Sequence, residues 1–214
     1  MKRIVLTLVF LNSAIAFAQT DIALKDSLAK MVIWDQKVAG FQPEHKSDDP
    51  KRKEFQDSVF TSHHRRLQKI LSDHGYPGFD LVGKQGSRDF WLLVQHLDQW
   101  PDFQQKVLDA MKKQVLKKNA SSGDYAYLTD RVRLNTNRDQ LYGTQVMYSS
   151  DSCQAIPRPT ENPDSLNRRR KEVGLDSIEE YLNKMSQLHF KMNKDNYEKR
   201  GIKGPTLYPV KEEK

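Results

Sequence analysis

Apolar residues recur three and four positions apart along most of the chain, the spacing of one face of an α-helix. Leu24, Leu28 and Met31 begin the pattern and predict a first helix over Asp21–Val38, closed by Gly40. The charged stretch Gln42–Lys53 contains Pro43 and Pro50 and reads as a loop. A second helix, about Lys51–His74, is expected to bury Phe55, Val59, Leu67, Ile70 and Leu71 and to stop at Gly75. Beyond a tight connector through Gly78 and Gly83, Ser87 is the expected N-cap of a third helix reaching Gln99. Its run Phe90-Trp91-Leu92-Leu93-Val94 is apolar on every side, which marks a central helix with neighbours all round. Pro101 opens a fourth helix with Phe103, Val107, Leu108, Met111 and Val115 on one face. Asn162-Pro163 starts a short basic helix that ends at Gly174. A last helix runs from Ser177 to about Lys199 with Ile178, Tyr181, Leu182 and Met185 inward, and residues 201–214 read as a loosely held tail.

The period changes once. Between the polar loop Asn119–Asp124 and the irregular, proline-bearing stretch Ser149–Asn162, apolar and polar residues alternate. The alternation predicts a β-hairpin, with strands Arg131–Asn135 and Gln140–Tyr148 about a turn at Thr136-Asn137-Arg138-Asp139. That register sets Leu134 opposite Leu141 and Val132 opposite Gly143. Arg131, Arg133, Gln140, Tyr142 and Thr144 are left together on the other face. The fold expected is therefore mainly α: a single helical domain of about six helices, residues 19–200, with one inserted β-hairpin.

Composition changes the picture at the N-terminus. Residues 1–18 have the form of a signal peptide: Lys2 and Arg3, an apolar run from Ile4 to Phe17, then Ala16-Phe17-Ala18 before Gln19. The apolar run is shorter than the roughly 20 residues that span a bilayer, so export to the periplasm or outside the cell is expected, without stable membrane insertion after cleavage. The leader holds two of the 35 basic residues and none of the 28 acidic ones, which lowers the net charge from +7 to +5 in the mature chain. The basic runs Lys112-Lys113, Lys117-Lys118 and Arg168-Arg169-Arg170 read as solvated helix faces, and an exported protein gives little reason to expect a nucleic-acid partner. Cys153 is the only cysteine, so no internal disulfide can form and stability must come from packing.

No nucleophile elbow, metalloprotease helix, paired-cysteine motif or phosphate-binding glycine loop occurs, and no cofactor is expected. The informative signal is positional. Asp35 follows Leu28 and Met31 at spacings of seven and four. His63 lies midway between Val59 and Leu67 on the second stripe. Gln95 and His96 fall among apolar neighbours on the third helix, and Arg170 lies between Leu166 and Val173. A buried ionised group without a partner is heavily penalised, so these side chains are expected to meet. One outcome is a polar pocket lined by Asp35, His63, Gln95, His96 and Arg170 beneath the hairpin. The other is a set of satisfied pairs, such as Asp35 with Arg131 or Arg170. His63, His96 and Asp35 could supply three metal ligands, but no local i,i+4 pair anchors an ion and no metal is expected.

Four motifs, in order and spacing, add a resemblance. They are Val94-Gln95-His96-x-Asp98, Ala126-Tyr127-Leu128-Thr129-Asp130-Arg131, Gln140-Leu141-Tyr142-Gly143-Thr144-Gln145 and Asn167-x-Arg169-Arg170. Together they resemble an uncharacterised bacterial family, the domain of unknown function numbered 6624, over about Asp35 to Tyr181. Asp35-Gln36 and Gly75-Tyr76-Pro77 also fit. Pro159-Thr160-Glu161-Asn162 stands where that family carries an acidic Pro-Ile-Glu-Asp element. The resemblance implies no reaction, and it points to the residues that the stripes single out.

The leading expectation is an exported small-molecule-binding or catalytic domain, hydrolytic in the least specific reading. His96 would be the general base or acid, because imidazole titrates near neutrality. Asp35 or Asp130 would orient it, and Arg131 or Arg170 would hold an anionic small molecule. Tyr142 or Thr144 would donate to developing charge, with Gln95, Gln140, Gln145 and His63 completing the lining. The competing class is a non-enzymatic cell-envelope or interaction protein whose polar cluster is structural, which exposed aromatics gathered in a patch would favour. Composition does not set the oligomeric state.

Overall fold

Leu28, Met31, Asp35 and Val38 form one stripe of the first helix, and in the computed structural model of the chain all four are buried. The structure describes residues 20–39 and 50–210. The expected leader, the stop at Gly40 and most of the Gln42–Lys53 loop lie outside the described residues. Helices α1 (Ile22–Ala39) and α2 (Pro50–His74) run antiparallel. The Arg66 guanidinium meets the Ser27 hydroxyl at one end, and Trp34 meets Phe55 edge-on at the other.

The apolar run predicted to be central is so. Helix α3 (Phe79–Gln95) packs against α1, α2, α4 (Pro101–Leu116) and α5 (Ser122–Asn135), and its Phe90, Leu93 and Val94 are fully buried. Leu67, Val107, Met111, Leu128 and Val132 close the same core. Two details differ from the expectation. A short helical segment from Phe79 precedes Gly83, whose non-helical φ of 70° and ψ of 172° separates it from the main part of α3; that part resumes directly after Gly83, so Ser87 lies buried inside it, not at its cap. It ends at Gln95, with His96 as C-cap. On α2 the buried stripe is Phe60, His63 and Leu67; Phe55 is turned outward and 41% exposed, with Val59, Ile70 and Leu71 half-buried.

The protein does contain one antiparallel hairpin, but not where alternation placed it. Arg131–Asn135 is the last turn and a half of α5, and Thr136–Gln145 is a loop. The strands are β1 (Val146–Tyr148) and β2 (Ala155–Pro157), paired Val146 to Pro157, Met147 to Ile156 and Tyr148 to Ala155. Leu128 and Val132, one helical turn apart, are both fully buried in the core, and Ser121 caps the helix by accepting from the Asp124 N–H. Those helical contacts outweigh four residues of alternation, a pattern too short to separate helix from strand.

The C-terminal third forms a second, smaller core. A single 3-10 turn, Pro163–Ser165, leads into α6 (Leu166–Glu172), and Ser177 and Glu180 form a capping box at the start of α7 (Ile178–Met192). The last helix breaks at Asn193 and resumes as α8 (Lys194–Lys199). Leu166, Ile178, Tyr181 and Leu182 pack with Ala155 of the hairpin. Tyr127 of α5 packs against both cores, edge-on to Trp91 at 6.4 Å and to Tyr181 at 6.1 Å. Residues 201–210, expected to be loosely held, are tied down. The Tyr208 amide donates to Asn183, its carbonyl accepts from Asn183, and its hydroxyl donates to the Ala155 carbonyl.

Candidate functional site

Of the residues singled out in the sequence, Asp35 and His96 meet most directly. His96 Nδ1 lies 2.7 Å from Asp35 Oδ2, with the carboxylate fully buried and the imidazole side chain 25% exposed. A carboxylate only accepts, so Nδ1 carries the proton of that bond, and in the neutral ring Nε2 is the nitrogen with the lone pair. Gln36 donates a second bond to the same oxygen, at 3.0 Å. Asp35 Oδ1 is buried without a hydrogen-bond partner among the described residues. His63 lies close enough to feel both groups. Burial pulls its pKa below the ordinary histidine value, Asp35 pushes it up, and Arg66 and His96 pull it down again. Its Nδ1 is likewise buried and unpartnered.

The turn after α3 holds His96 in place. Leu97 and Trp100 donate back to the carbonyls of Val94 and Leu97, and fully buried Gln104 reaches from α4 to the Val94 carbonyl. Gln104 also donates to Asp98, as does Asn135, and Arg131 grips Asp98 through both carboxylate oxygens, at 2.8 and 2.6 Å. Burial alone would raise the Asp98 pKa, but these donors together hold it below the usual carboxylate value. Arg131 thus pairs with Asp98 from a helix; it joins neither Asp35 nor a hairpin face. Beside His96 opens a cleft of about 440 Å³ whose lining includes Arg52, Lys53, Gln56, Phe60, Asp98 and Gln99.

The remaining candidates come together elsewhere. Fully buried Asp130 accepts from the backbone N–H of Leu141 (2.7 Å), Tyr142 (3.0 Å) and Thr144 (2.9 Å), and from the Thr144 hydroxyl (2.9 Å). The carbonyls of the same loop are met in turn. Arg169 donates to Leu141, Arg170 to Tyr142, and the Tyr181 hydroxyl to Thr144. Gln140 spans the loop, accepting from the Gln145 N–H and donating to the carbonyls of Gln145 and Arg158. Gly143, at φ 65°, turns the chain where an added Cβ would meet Ile178 at 3.0 Å. Arg170 also bonds the Asp176 carbonyl and sits 4.9 Å above the Tyr181 ring. Among the described residues no hydrogen bond or ion pair joins this loop anchor to His96. Gln95, the last residue of α3, has its amide beside the Trp91 indole N–H, which it can accept at 2.8 Å.

No cluster of three or more His, Cys, Asp or Glu side chains among the described residues is placed to hold a metal ion. Asp35, His63 and His96 are neighbours without forming a ligand set. Sequence reasoning missed Gln104 and Asp98, although Asp98 lies inside a quoted motif and Gln104 follows Phe103 onto the buried face of α4.

A family model described as a family of unknown function, DUF6624, matches residues 22–192. The chain belongs to that family. No curated protein and no solved structure matches it.

Proposed function

We propose that this member of the family is an exported small-molecule-binding or catalytic domain in which Asp35 and His96 act as a general acid–base pair. The observation that carries the reading is the 2.7 Å contact between a fully buried carboxylate and a histidine that lines an open cleft. Asp35 fixes the ring and its tautomer, and Nε2 is the basic atom left for chemistry. In a hydrolytic step Nε2 takes a proton from water as its oxygen bonds to the substrate, and the imidazolium returns that proton to the leaving group. Asp35 offsets the positive charge in between. Arg52 and Lys53 favour a substrate with negative charge at the start of α2, with the Asp57 carboxylate about one turn on in the same lining. Export rests on residues 1–18, and intact mass of protein from a native-type host tests it: a mature chain should begin at Gln19, and one retaining Met1 removes the premise.

The decisive measurement pairs activity with stability. A panel of chromogenic carboxylic and phosphoric esters, assayed with His96→Gln and Asp35→Asn, should show hydrolysis that falls at least a hundredfold in both variants. His96→Gln should keep the fold, since Gln retains hydrogen-bonding capacity at similar reach. A melting temperature lowered by several degrees with no activity or ligand binding to lose would make the pair structural. One observation favours the non-enzymatic class: Trp34 and Phe55 are 49% and 41% exposed and touch edge-on, with Ile33 also outward at 57%. Such a patch suits a protein or envelope partner.

A further inference from the structure

The face that α1 and α2 turn to solvent carries a second cavity, of about 490 Å³, that the acid–base pair does not use. Two stripes build it. Ser27, Lys30 and Trp34 follow one another at spacings of three and four on α1; Ser58, Ser62 and Arg66 follow at spacings of four on α2. The antiparallel pairing of the helices sets these stripes against each other, and the 3.3 Å bond from Arg66 Nη2 to the Ser27 hydroxyl crosses between them. His63 also lines the cavity, 95% buried, with Nδ1 lacking a partner among the described residues.

The chemistry of this lining is one-sided. It holds two cations, three hydroxyls, an imidazole and an indole, and no carboxylate. Among the described residues neither Lys30 nor Arg66 has a carboxylate within ion-pair distance. Surface arginines and lysines are commonly unpaired, so that fact alone carries little. What distinguishes this groove is convergence: donors on two helices, an indole at one end and a buried, unpartnered ring nitrogen on the wall. The volume suits a small molecule.

We infer that the α1–α2 groove binds a compact oxyanion carrying a flat apolar group, of the phosphomonoester kind. Lys30 and Arg66 take the anion, the Ser27 and Ser62 hydroxyls complete its hydrogen bonds (Ser58 already donates to the Phe55 carbonyl), and Trp34 covers the apolar part. A soluble phosphomonoester and the headgroup of phosphatidic acid share the phosphomonoester anion. The groove shares no lining residue with the cleft beside His96, and the two readings stand or fall separately.

Titration of the mature protein with inorganic phosphate and with phenyl phosphate, at ionic strength matched with chloride, tests it by NMR. Phenyl phosphate should shift the Trp34 indole signal and backbone signals of Ser27, Ser62 and Arg66, and should bind more tightly than phosphate. Lys30→Gln and Arg66→Gln should each weaken binding at least fivefold, whereas Lys113→Gln, an equal loss of charge on α4, should leave it unchanged. Sedimentation with vesicles of phosphatidylcholine alone or mixed with phosphatidic acid separates the sources. Binding to the anionic vesicles that Arg66→Gln abolishes assigns the anion to a lipid headgroup; titration without vesicle binding assigns it to a soluble ligand. Absence of both, or binding that Lys30→Gln and Arg66→Gln leave intact, overturns the inference.

Discussion

Three aspartates show how burial and partners divide the work. Asp35 keeps one oxygen for His96 and has the other unpartnered; Asp130 has both oxygens fully engaged by a single loop; Asp98 is half-exposed and held by Arg131. Their substitutions should therefore rank differently. Asp130→Asn swaps an acceptor oxygen for an NH2 that faces buried backbone donors, and each donor left unsatisfied costs about 1–3 kcal/mol. We expect roughly 2–4 kcal/mol in total, and a domain of this size loses about 2–4 °C per kcal/mol. Asp98→Asn weakens an exposed pair and should cost about 0–1 kcal/mol. Thermal denaturation of the two variants side by side checks the ranking, and equal midpoints would mean that the loop is not held through Asp130. Stripe position was enough to find Asp35, His63, Gln95 and Arg170 as buried polar groups and His96 as a half-buried one. It could not assign partners, because pairing depends on which helices adjoin, and so Asp130 and Arg131 were both expected beside His96.

Helices were legible wherever a stripe ran for three turns or more. α1 and α2 sit within a residue of their expected limits, α4 opens at Pro101 as expected, and α6 and the start of α7 follow the proline, glycine and serine signals at their ends. The failures share a cause. Arg131–Asn135 alternates like a strand over a span shorter than two helical turns, and only its packing on α3 and α4 decides the matter. Gly83 does interrupt the helical path; what was misplaced is the restart, which comes directly after Gly83 and not at Ser87. The site inherits these errors. With the hairpin misplaced, the motif Gln140–Gln145 was read as the roof of the pocket, whereas its backbone is the object that Asp130, Arg169, Arg170 and Tyr181 hold in shape. The groove between α1 and α2 was readable in principle. Its two polar stripes, 27/30/34 and 58/62/66, are regular, but an exposed polar stripe carries no signal until its partner is known.

For the molecule as a whole, the pattern of histidine burial fixes a response to acid. Burial lowers the pKa of His63, His64 and His189 below the ordinary value of 6.5; for His63 burial is the largest influence, with Asp35 opposing it. A histidine with a depressed pKa binds fewer protons folded than unfolded between its folded value and about 6.5. Stability then rises with pH through that window, so these groups' contribution is complete above about pH 6.5 and is lost as the pH falls toward the folded values. Asp124 works in the opposite sense. Burial raises its pKa against the pull of Arg88 and the Ser121 hydrogen bond, so near and above its ordinary value of 3.8 it gains stability as the pH falls. Three groups outnumber one in mild acid, and the melting temperature is expected to drop between pH 7 and pH 5. His64 stacks on Trp100 at 4.3 Å and His189 on Tyr148 at 3.7 Å, so either could be lost for reasons of packing. His63→Asn is the cleaner probe: it removes a buried titrating ring that Asp35 influences and should flatten the melting-temperature profile across this window compared with the parent. Parallel profiles for the two proteins would show that His63 ionises freely in the folded chain, and the buried position given to it here would be wrong.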